Sequence, residues 1–495
     1  MDTALRQSEE PLHKIYYSRF RERSVAFLDV QSLEIILRDG SKVKADTLSD
    51  VGDVGASDVI YCVNAGEDFV SQMKALEANG WTLSKPYVHH DDKDIASVSL
   101  KKLGLTVYIT NIRGAYFRGC KSVEDAAAAY HALADIILTN PIGDKFKLLG
   151  SAMNTGLELL RVCLPQNQDY SLQSDDVLDL LRKINRQHRI EMLALPSLET
   201  VSQCFYLDRR FSYADGAYYP LPVGEPVFDS ISDYIPYSVG WYCVDFTIPA
   251  DWSHIGILPV SRLCDDGLTR WTWPDSPGLT VESAWVSEPE LFVAVKAGWP
   301  VAVKYRLLWP STNKAPLRNW YRHVTRMRDE EASQYSEPIR SHLRDALRDM
   351  LLKAVGKMAS TKDRDLLHLT QEDFAREFSS FDAETRATVE WLDNGLIQVL
   401  KPKPKSQYRE MFSHPEWTYY IWARTRAAVA QAMLSLPRES LIACRTDAIY
   451  TTANPNWPDD GRAGRFRLKG CASGEEVKTP RTIQDLNLLK QMMET

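Results

Sequence analysis

Two apolar segments, distant from each other in the chain, are each predicted to form a strand that carries an aspartate. Cys204–Leu207 is followed by Asp208, and the run 441–450 contains Asp447. Both segments have the apolar and aromatic composition of a buried strand. Between them lies a basic helical stretch that ends in LLKAVGKMAS at 351–360. An aspartate after a strand is usually a turn residue, so the order of the three segments, more than any one of them, constrains the fold.

Two strand-borne carboxylates on either side of a cationic helix are what metal-dependent nucleotidyl transfer requires. Carboxylates hold two Mg²⁺ ions about 3.5–4 Å apart, and these ions activate the attacking oxygen and stabilise the leaving pyrophosphate. Cationic side chains hold the triphosphate. We therefore predict that Asp208 and Asp447 are catalytic metal ligands for two Mg²⁺ ions, with Mn²⁺ as an alternative.

Arginines recur every four residues along the helix predicted over 339–356. The ordinary explanation is a solvated face that pairs with neighbouring acids. The functional explanation is that Arg348, together with Arg344, grips the phosphates of an incoming nucleotide. Gly356 and Lys357 follow, and a position without a side chain lets a base pair approach the backbone. Both explanations remain open at this point.

An aromatic residue, Tyr213, follows closely after Asp208. In a nucleotide site it would stack beneath the sugar and exclude a 2′-hydroxyl, because a close-packed site has no room for an extra oxygen. Its ordinary role would be that of a half-buried aromatic side chain.

A basic strand is predicted at 464–470, GRFRLKG. Alternate residues of a strand point the same way, so Arg465, Arg467 and Lys469 would share one face. A one-sided basic strand suits contact with a phosphate backbone. A charged edge strand that prevents aggregation explains the pattern equally well.

Composition is that of an ordinary globular protein, with 44% apolar and 25% charged residues. No leader-like or membrane-spanning apolar run is present, so we expect a cytoplasmic protein without a membrane partner. Eight cysteines without a C-x-x-C pair predict reduced thiols. The net charge of −7 argues against a protein devoted to coating nucleic acid, but it allows local basic grooves. His89–Asp92 is more simply an exposed polar turn than a metal site.

In this order, the segments resemble the motifs of family B DNA polymerases, and most of all the protein-primed branch of phage and linear-plasmid replicases. LDRRFSYADGAYYPLPVGEP at 207–226 resembles motif A, D-x-x-S-L-Y-P. RDMLLKAVGKMAS at 348–360 resembles motif B, K-x-x-x-N-S-x-Y-G-K. ACRTDAIYTT at 443–452 resembles motif C, Y-x-D-T-D-S, and 417–434 resembles the helix that precedes it. The basic strand resembles the primer-strand motif.

The resemblance implies that Asp208 and Asp447 hold metal, that Tyr213 discriminates the sugar and that Arg348 replaces the triphosphate-binding lysine. It also implies that the basic strand, with Lys478 or Arg481 further on, binds the primer. The chain departs from the family at several positions. In motif C, Arg445 replaces the first aspartate. In motif B, Val355 replaces the tyrosine, and Leu352 and Lys353 replace the Asn-Ser pair.

The N-terminal segment resembles the family's 3′–5′ exonuclease, which has an RNase H-like fold, with its acidic ligands incomplete. The first motif aligns best with residues 17–21, where arginines replace both acids, and the alternative at 29–31 lacks the glutamate. Tyr130 and Asp135 are one residue further apart than the family spacing allows. We therefore expect no proofreading. The positions that resemble the remaining ligands are Asn64, Asp68 and Asp135.

These features together predict an α/β and α+β multidomain chain: an RNase H-like domain, then a right-hand polymerase palm and fingers with a reduced thumb. The expected function is template-directed DNA synthesis from dNTPs on a DNA primer–template, with a terminal protein or other replication proteins as further partners. The expected location is the cytoplasm, the host cytoplasm for a virus, or the virion. The alternative is a catalytically silent polymerase-fold protein that binds nucleic acid or scaffolds a replication complex. The predicted boundaries are 1–195 (exonuclease-like), 196–315 (palm with a β-rich insertion), 316–360 (fingers), 361–412 (second insertion), 413–470 (palm) and 471–495 (vestigial thumb).

Overall fold

A computed structural model describes residues 25–37, 40–46, 59–63, 82–83, 87–88, 95–102, 105–139, 148, 150–165, 170, 172–185, 188–263, 269–310, 313–359, 364–391, 397–402 and 413–494. The chain separates into two compact units. The first comprises Met1–Leu164 and Asn319–Ala354, and the second comprises Pro165–Arg318 and Val355–Thr495. The six-part division remains a prediction, and the helical segment 319–354 groups with the N-terminal part of the chain.

The first unit is built on a mixed sheet with strand order β3-β2-β1-β4-β8-β7-β5, and β6 pairs with β7. β1 is parallel to β4, and β4 is parallel to β8, whereas β2, β3 and β7 run antiparallel to their neighbours. β1 and β4 are almost wholly apolar, as expected for strands that are buried on both faces. The strands are β1 Val25–Asp29, β2 Glu34–Leu37, β3 Lys42–Lys44, β4 Val59–Val63, β5 Thr82–Leu83, β6 Tyr87–Val88, β7 Ile95–Lys102 and β8 Leu105–Asn111.

Helix α2 packs on β1, β2 and β4 of this sheet. It begins at Val123 because Ser122 caps it, accepting a hydrogen bond from the backbone N–H of Asp125. Buried aromatic rings of Phe27, Tyr61 and Tyr130 fill the space between helix and sheet. The described α-helices with residues in this unit are α1 Ile112–Ala115, α2 Val123–Leu138, α3 Ala152–Cys163, α7 Arg318–Arg326 and α8 Ile339–Met358.

The second unit contains an antiparallel sheet of order β22-β10-β21-β20-β9, which carries the two aspartates. Apolar side chains of β20 and β21 pack with helix α11 (Pro415–Leu434) on one side, and Leu486 and Leu489 of helix α12 (Ile483–Glu494) join the core on the other. Tyr206 and Tyr450 stack within that second core with ring centroids 4.9 Å apart. The strands are β9 Ile190–Met192, β10 Thr200–Arg209, β20 Leu441–Arg445, β21 Ala448–Thr451 and β22 Phe466–Lys478.

Two smaller sheets of the same unit lie in the segments predicted as insertions. The first has the order β11-β16-β12-β15, with the separate hairpin β13-β14, and the second has the order β17-β19-β18. Their strands are β11 Val227–Asp229, β12 Val239–Thr247, β13 Val260–Leu263, β14 Thr269–Thr272, β15 Thr280–Ser287, β16 Val301–Trp309, β17 Arg364–Leu369, β18 Glu390–Trp391 and β19 Ile397–Pro402. The remaining described helices are α4 Asp175–Ile184, α5 Ser212–Gly216, α6 Glu288–Lys296, α9 Gln371–Glu377, α10 Ala383–Ala387, α11 Pro415–Leu434 and α12 Ile483–Glu494.

Candidate active site

The pairing of β10 with its two neighbours brings the two predicted metal ligands to the same end of the sheet. Asp208 lies opposite Ala448 of β21 on one side and opposite Arg467 of β22 on the other. Asp447 lies in the two-residue turn between β20 and β21, and its carbonyl accepts a hydrogen bond of 2.9 Å from the N–H of Arg209. Neither side chain is fully buried. The two residues are therefore neighbours, and their role as metal ligands remains a prediction.

The Asp447 turn is held by contacts from the segment that precedes β9. Thr446 has a φ of +59°, a conformation that non-glycine residues adopt only when the surroundings enforce it. Its N–H donates to the carbonyl of Arg189 at 2.9 Å. Its hydroxyl lies 3.0 Å from Nδ1 of His188, which is buried. These contacts fix the turn and the direction of its aspartate.

Tyr213 belongs to this same cluster. Its hydroxyl lies 3.4 Å from Nδ1 of His188, the atom that also contacts Thr446. Tyr213 stands on the short helix α5, which Arg209 anchors by hydrogen bonds to the Ser212 hydroxyl at 2.8 Å and to a neighbouring carboxylate. The sequence pattern singled out Tyr213 but not His188, because a lone histidine before a short strand carries no signal of its partners.

A second arginine meets the predicted metal ligand directly. Arg467 donates from Nε and Nη2 to Oδ2 of Asp208, at 3.1 and 2.9 Å. The Asp208 side chain is 16% exposed and that of Arg467 is 34% exposed. A charge-assisted contact of this kind, partly shielded from water, is stronger than an exposed surface pair. The arginine predicted to bind DNA thus neutralises the carboxylate predicted to bind metal.

The other residues of the basic strand depart from simple alternation. β22 begins at Phe466, so Arg465 precedes the strand, and a register shift around Lys469 interrupts the pleat. Arg465 is 60% exposed, with Nε 3.9 Å from a carboxylate oxygen of Asp460. Lys469 donates to the Tyr206 hydroxyl at 3.2 Å and lies over its ring. The prediction that three basic residues share one strand face is therefore wrong in its geometry, because the strand begins after Arg465 and is bulged at Lys469.

The two later basic residues differ in their surroundings. Lys478 is exposed at the end of β22, opposite Thr200. Arg481 donates to the carbonyls of four residues in the turn before β10: Ala194, Leu195, Pro196 and Leu198. Its guanidinium therefore holds this turn in place, and DNA contact by either residue remains a prediction.

The donor set at the end of the sheet fits a hard divalent cation. Carboxylate oxygens are ligands that Mg²⁺ prefers, and it commonly takes one or two carboxylates with water and substrate phosphates. Within the described residues no group of three or more His, Cys, Asp or Glu side chains could hold a metal ion. Asp208 and Asp447 would therefore supply the protein's share of the ligands, and nucleotide and water would supply the rest.

Arg445 occupies the place where the resembling motif has its first aspartate. It ends β20 opposite Ile190 of β9 and is buried. Nearby, the buried side chain of Arg189 pairs with Glu191 at 2.6 Å. Burial raises the pKa of the Glu191 carboxyl, while Arg189 opposes that shift. Burial also raises the pKa of the Cys444 thiol to about 12, so that cysteine is no nucleophile.

The predicted nucleotide-binding residues lie on α8, which spans the boundary between the units. Arg344 and Arg348 are exposed and belong to the first unit. Gly356 and Lys357 belong to the second unit, and a Cβ at Gly356 would meet open space. Asp349 on the same helix pairs with Arg118 and Lys353, at 3.1 and 2.8 Å. This buried acid therefore pairs with side chains other than those of Arg344 and Arg348.

The exonuclease-like positions are only partly described. Asp135 is exposed and accepts a hydrogen bond of 3.2 Å from the Tyr335 hydroxyl, whereas Tyr130 is buried in the aromatic core. Asp29 accepts hydrogen bonds from the N–H groups of Gln31 and Ser32, so it acts as a turn residue. Other predictions lie outside the described residues, and they concern Asn64, Asp68, residues 17–21 and His89–Asp92.

The fold is that of a family B DNA polymerase, a mixed α/β multidomain architecture, as the motif resemblance predicted. The chain is similar to Phi29 DNA polymerase complexed with primer-template DNA and incoming nucleotide substrates, with a TM-score of 0.59 and 13% identity over 91% of this chain and 85% of that chain. It is similar to the post-translocation binary complex of Phi29 DNA polymerase with primer-template DNA, with a TM-score of 0.55 and 12% identity over 91% and 84% of the two chains. The Phi29 DNA polymerase complex with single-stranded DNA gives a TM-score of 0.55 and 13% identity over 91% and 84%.

No family model and no curated protein matches the sequence. Among the described residues, no helix has the length and apolar character needed to cross a membrane.

Proposed function

We propose that the protein is a template-directed DNA polymerase that transfers dNMP from a dNTP to a primer 3′-hydroxyl or to a hydroxyl of a terminal protein. One observation carries the proposal: Asp208 and Asp447 meet at the end of neighbouring strands in a fold that DNA polymerases share. The primer-template and nucleotide complexes of Phi29 DNA polymerase support DNA and dNTPs as its partners.

Each candidate residue has a distinct part in this proposal. Two Mg²⁺ ions, when bound, would activate the attacking hydroxyl and stabilise the leaving pyrophosphate. Asp208 and Asp447 would hold them, Tyr213 would contact the sugar, and Arg348 with Arg344 would hold the triphosphate. Gly356 and Lys357 would face the new base pair, and the primer strand would contact the basic residues Arg465, Arg467, Lys469, Lys478 and Arg481.

The N-terminal unit is proposed to be an RNase H-like domain without proofreading activity. Its strand order, β3-β2-β1-β4-β8, supports this assignment. The strands β1, β2 and β3 pair antiparallel in turn, and β4 and β8 then run parallel to β1. The exposed position of Asp135 and the turn role of Asp29 support the loss of proofreading. Metal-dependent shortening of a labelled strand that is lost in Asp68→Ala would instead establish an exonuclease.

A catalytically silent polymerase-fold protein is the second candidate. The ion pair of Arg467 with Asp208 favours it, because a guanidinium opposes uptake of a cation there. Arg445 favours it too, because arginine stands where the resembling motif has an acid. Such a protein would still bind nucleic acid or organise a replication complex.

Extension of a 5′-labelled primer–template with dNTPs and either Mg²⁺ or Mn²⁺ separates the two candidates. Growth that depends on the template and disappears in Asp447→Ala is the expected result. DNA binding should survive in that variant, because the change removes a metal ligand and no phosphate contact. Asp251→Ala removes an acid elsewhere in the same unit and serves as the matched control.

The outcomes are distinct. Extension that persists in Asp447→Ala would show that the metal ligand is misassigned. DNA binding without growth in either metal would favour the silent protein, and adding a terminal protein would test whether a priming partner was missing. Tyr213→Val should admit ribonucleotides, and unchanged discrimination would refute its contact with the sugar.

A further inference from the structure

The carboxylate of Asp208 already has a cationic partner, the guanidinium of Arg467. The two residues lie directly opposite each other on β10 and β22, so strand register places them in contact. Both guanidinium hydrogen bonds go to the same oxygen, Oδ2, at 3.1 and 2.9 Å. A carboxylate that is neutralised in this way attracts a divalent cation less, because part of its charge is already balanced.

We infer that Arg467 is a positioning residue that withholds Asp208 from metal until a primer phosphate draws the arginine away. This inference rests on the proposed function. Arg467 is only partly buried and its neighbour Arg465 is largely exposed, so a nucleic-acid backbone has access to this part of β22. Phosphate is a good bidentate partner for arginine, and exchange from carboxylate to phosphate keeps the guanidinium paired.

The consequence is that metal affinity depends on DNA. Without DNA, the carboxylate pairs with Arg467 and holds a cation weakly. With DNA, Arg467 pairs with phosphate and the carboxylate of Asp208 becomes available beside the Asp447 turn. Arg445 contributes no such dependence, because it is buried at the end of its strand.

Mn²⁺ binding by the full-length protein, followed by the electron paramagnetic resonance signal of free Mn²⁺, tests the inference. Without DNA, Arg467→Gln should bind Mn²⁺ roughly five- to tenfold more tightly than the unaltered protein, the effect expected when a partly shielded, charge-assisted contact is lost. Arg467→Lys keeps the positive charge but lacks the two guanidinium donors, so its Mn²⁺ affinity should lie between those of the unaltered protein and Arg467→Gln. Arg462→Gln removes the same charge nearby, from a side chain that is 77% exposed beside Asp460, and it should leave the affinity unchanged.

Addition of a primer–template ending in a dideoxynucleotide should tighten Mn²⁺ binding by the unaltered protein and leave Arg467→Gln nearly unchanged. Asp208→Asn with the same DNA corrects for Mn²⁺ held by the nucleic acid. Equal affinities of the unaltered protein and Arg467→Gln without DNA would overturn the inference, as would an equal shift in Arg462→Gln. If Arg467→Gln does not fold, Arg467→Lys alone still has to bind more tightly than the unaltered protein.

This test is independent of catalysis. A shift in Mn²⁺ affinity without primer extension would support the role of Arg467 and favour the silent protein. Primer extension without a shift in Mn²⁺ affinity would support the polymerase proposal and refute the role of Arg467.

Discussion

A buried ion pair fixes the helix that leads into the candidate site. Arg426 of α11 donates to Glu290 of α6 from Nε and Nη2, at 2.7 and 3.1 Å, and the side chains are only 4% and 2% exposed. Ser287 adds a hydrogen bond of 2.6 Å to the same carboxylate. This pair joins the helix before β20 to the β-rich insertion, so its loss should affect the stability of the whole second unit.

Replacement of Arg426 by methionine should lower the free energy of unfolding by about 3–5 kcal/mol, the cost of leaving one charge of a buried pair uncompensated. Glu290 would retain only the serine hydroxyl, which cannot replace two charge-assisted hydrogen bonds. The double variant Arg426→Met/Glu290→Leu should regain most of the loss, because removing both charges also removes the cost of burying them. Urea unfolding followed by tryptophan fluorescence measures these differences.

The matched control is Lys304→Met, which breaks an ion pair of the same insertion whose side chains are 36% and 30% exposed. It should cost far less than Arg426→Met, because solvent screens an exposed pair. Equal losses for the two single variants would refute the argument from burial. A double variant no more stable than Arg426→Met alone would show that packing, and not charge, determines the effect.

Three further predictions concern the same unit. Hydrogen bonds from Arg306 lower the pKa of Asp229 in the folded protein. The stability that this carboxylate contributes is therefore present above its ordinary pKa of 3.8 and is lost as the pH falls through the lower folded value. The difference in Tm between the unaltered protein and Asp229→Asn should shrink over the same pH range. Gly464→Ala should lower the free energy of unfolding by about 1–3 kcal/mol, because φ is +78° and the new Cβ would lie 2.6 Å from a carboxyl group. Gly461 has a similar φ of +75° but open space around it, so Gly461→Ala should cost less stability in thermal melts. The contacts of His188 with Tyr213 and Thr446 both use Nδ1. In primer extension, His188→Asn should therefore preserve selection of dNTPs over ribonucleotides and His188→Gln should not; equal selection by the two variants would exclude a positioning role.

The sequence pattern was sufficient for features that depend on local chemistry. The helix with recurring arginines was predicted over 339–356 and extends over Ile339–Met358. Asp208 lies in the strand β10 as predicted, whereas the run 441–450, predicted as one strand, forms β20 and β21 with Asp447 in the turn between them. These features follow from apolar periodicity and strand composition, which need no knowledge of distant partners. The resemblance to family B polymerases is confirmed at the level of the fold by the solved structures.

Features that depend on pairing between distant strands could not be predicted from the sequence pattern. Alternation placed Arg467 on a face but gave no register with β10, so its contact with Asp208 was invisible. The bulge near Lys469 is a tertiary feature of the same kind. His188 has no neighbouring motif, and only the folded chain brings it between Tyr213 and Thr446.

The two arginines near the candidate metal ligands differ in how firmly they are held. Arg445 is buried at the end of β20, so its side chain is held in place by the fold and is not open to a DNA phosphate. Arg467 is 34% exposed and contacts one carboxylate oxygen, so its charge leaves when a phosphate replaces that oxygen. The carboxylate of Asp208 is thus balanced at rest, and its negative charge is no longer balanced by Arg467 once that arginine has moved. A protein with this ion pair should therefore hold metal weakly without DNA and more tightly with it, whether or not it catalyses primer extension.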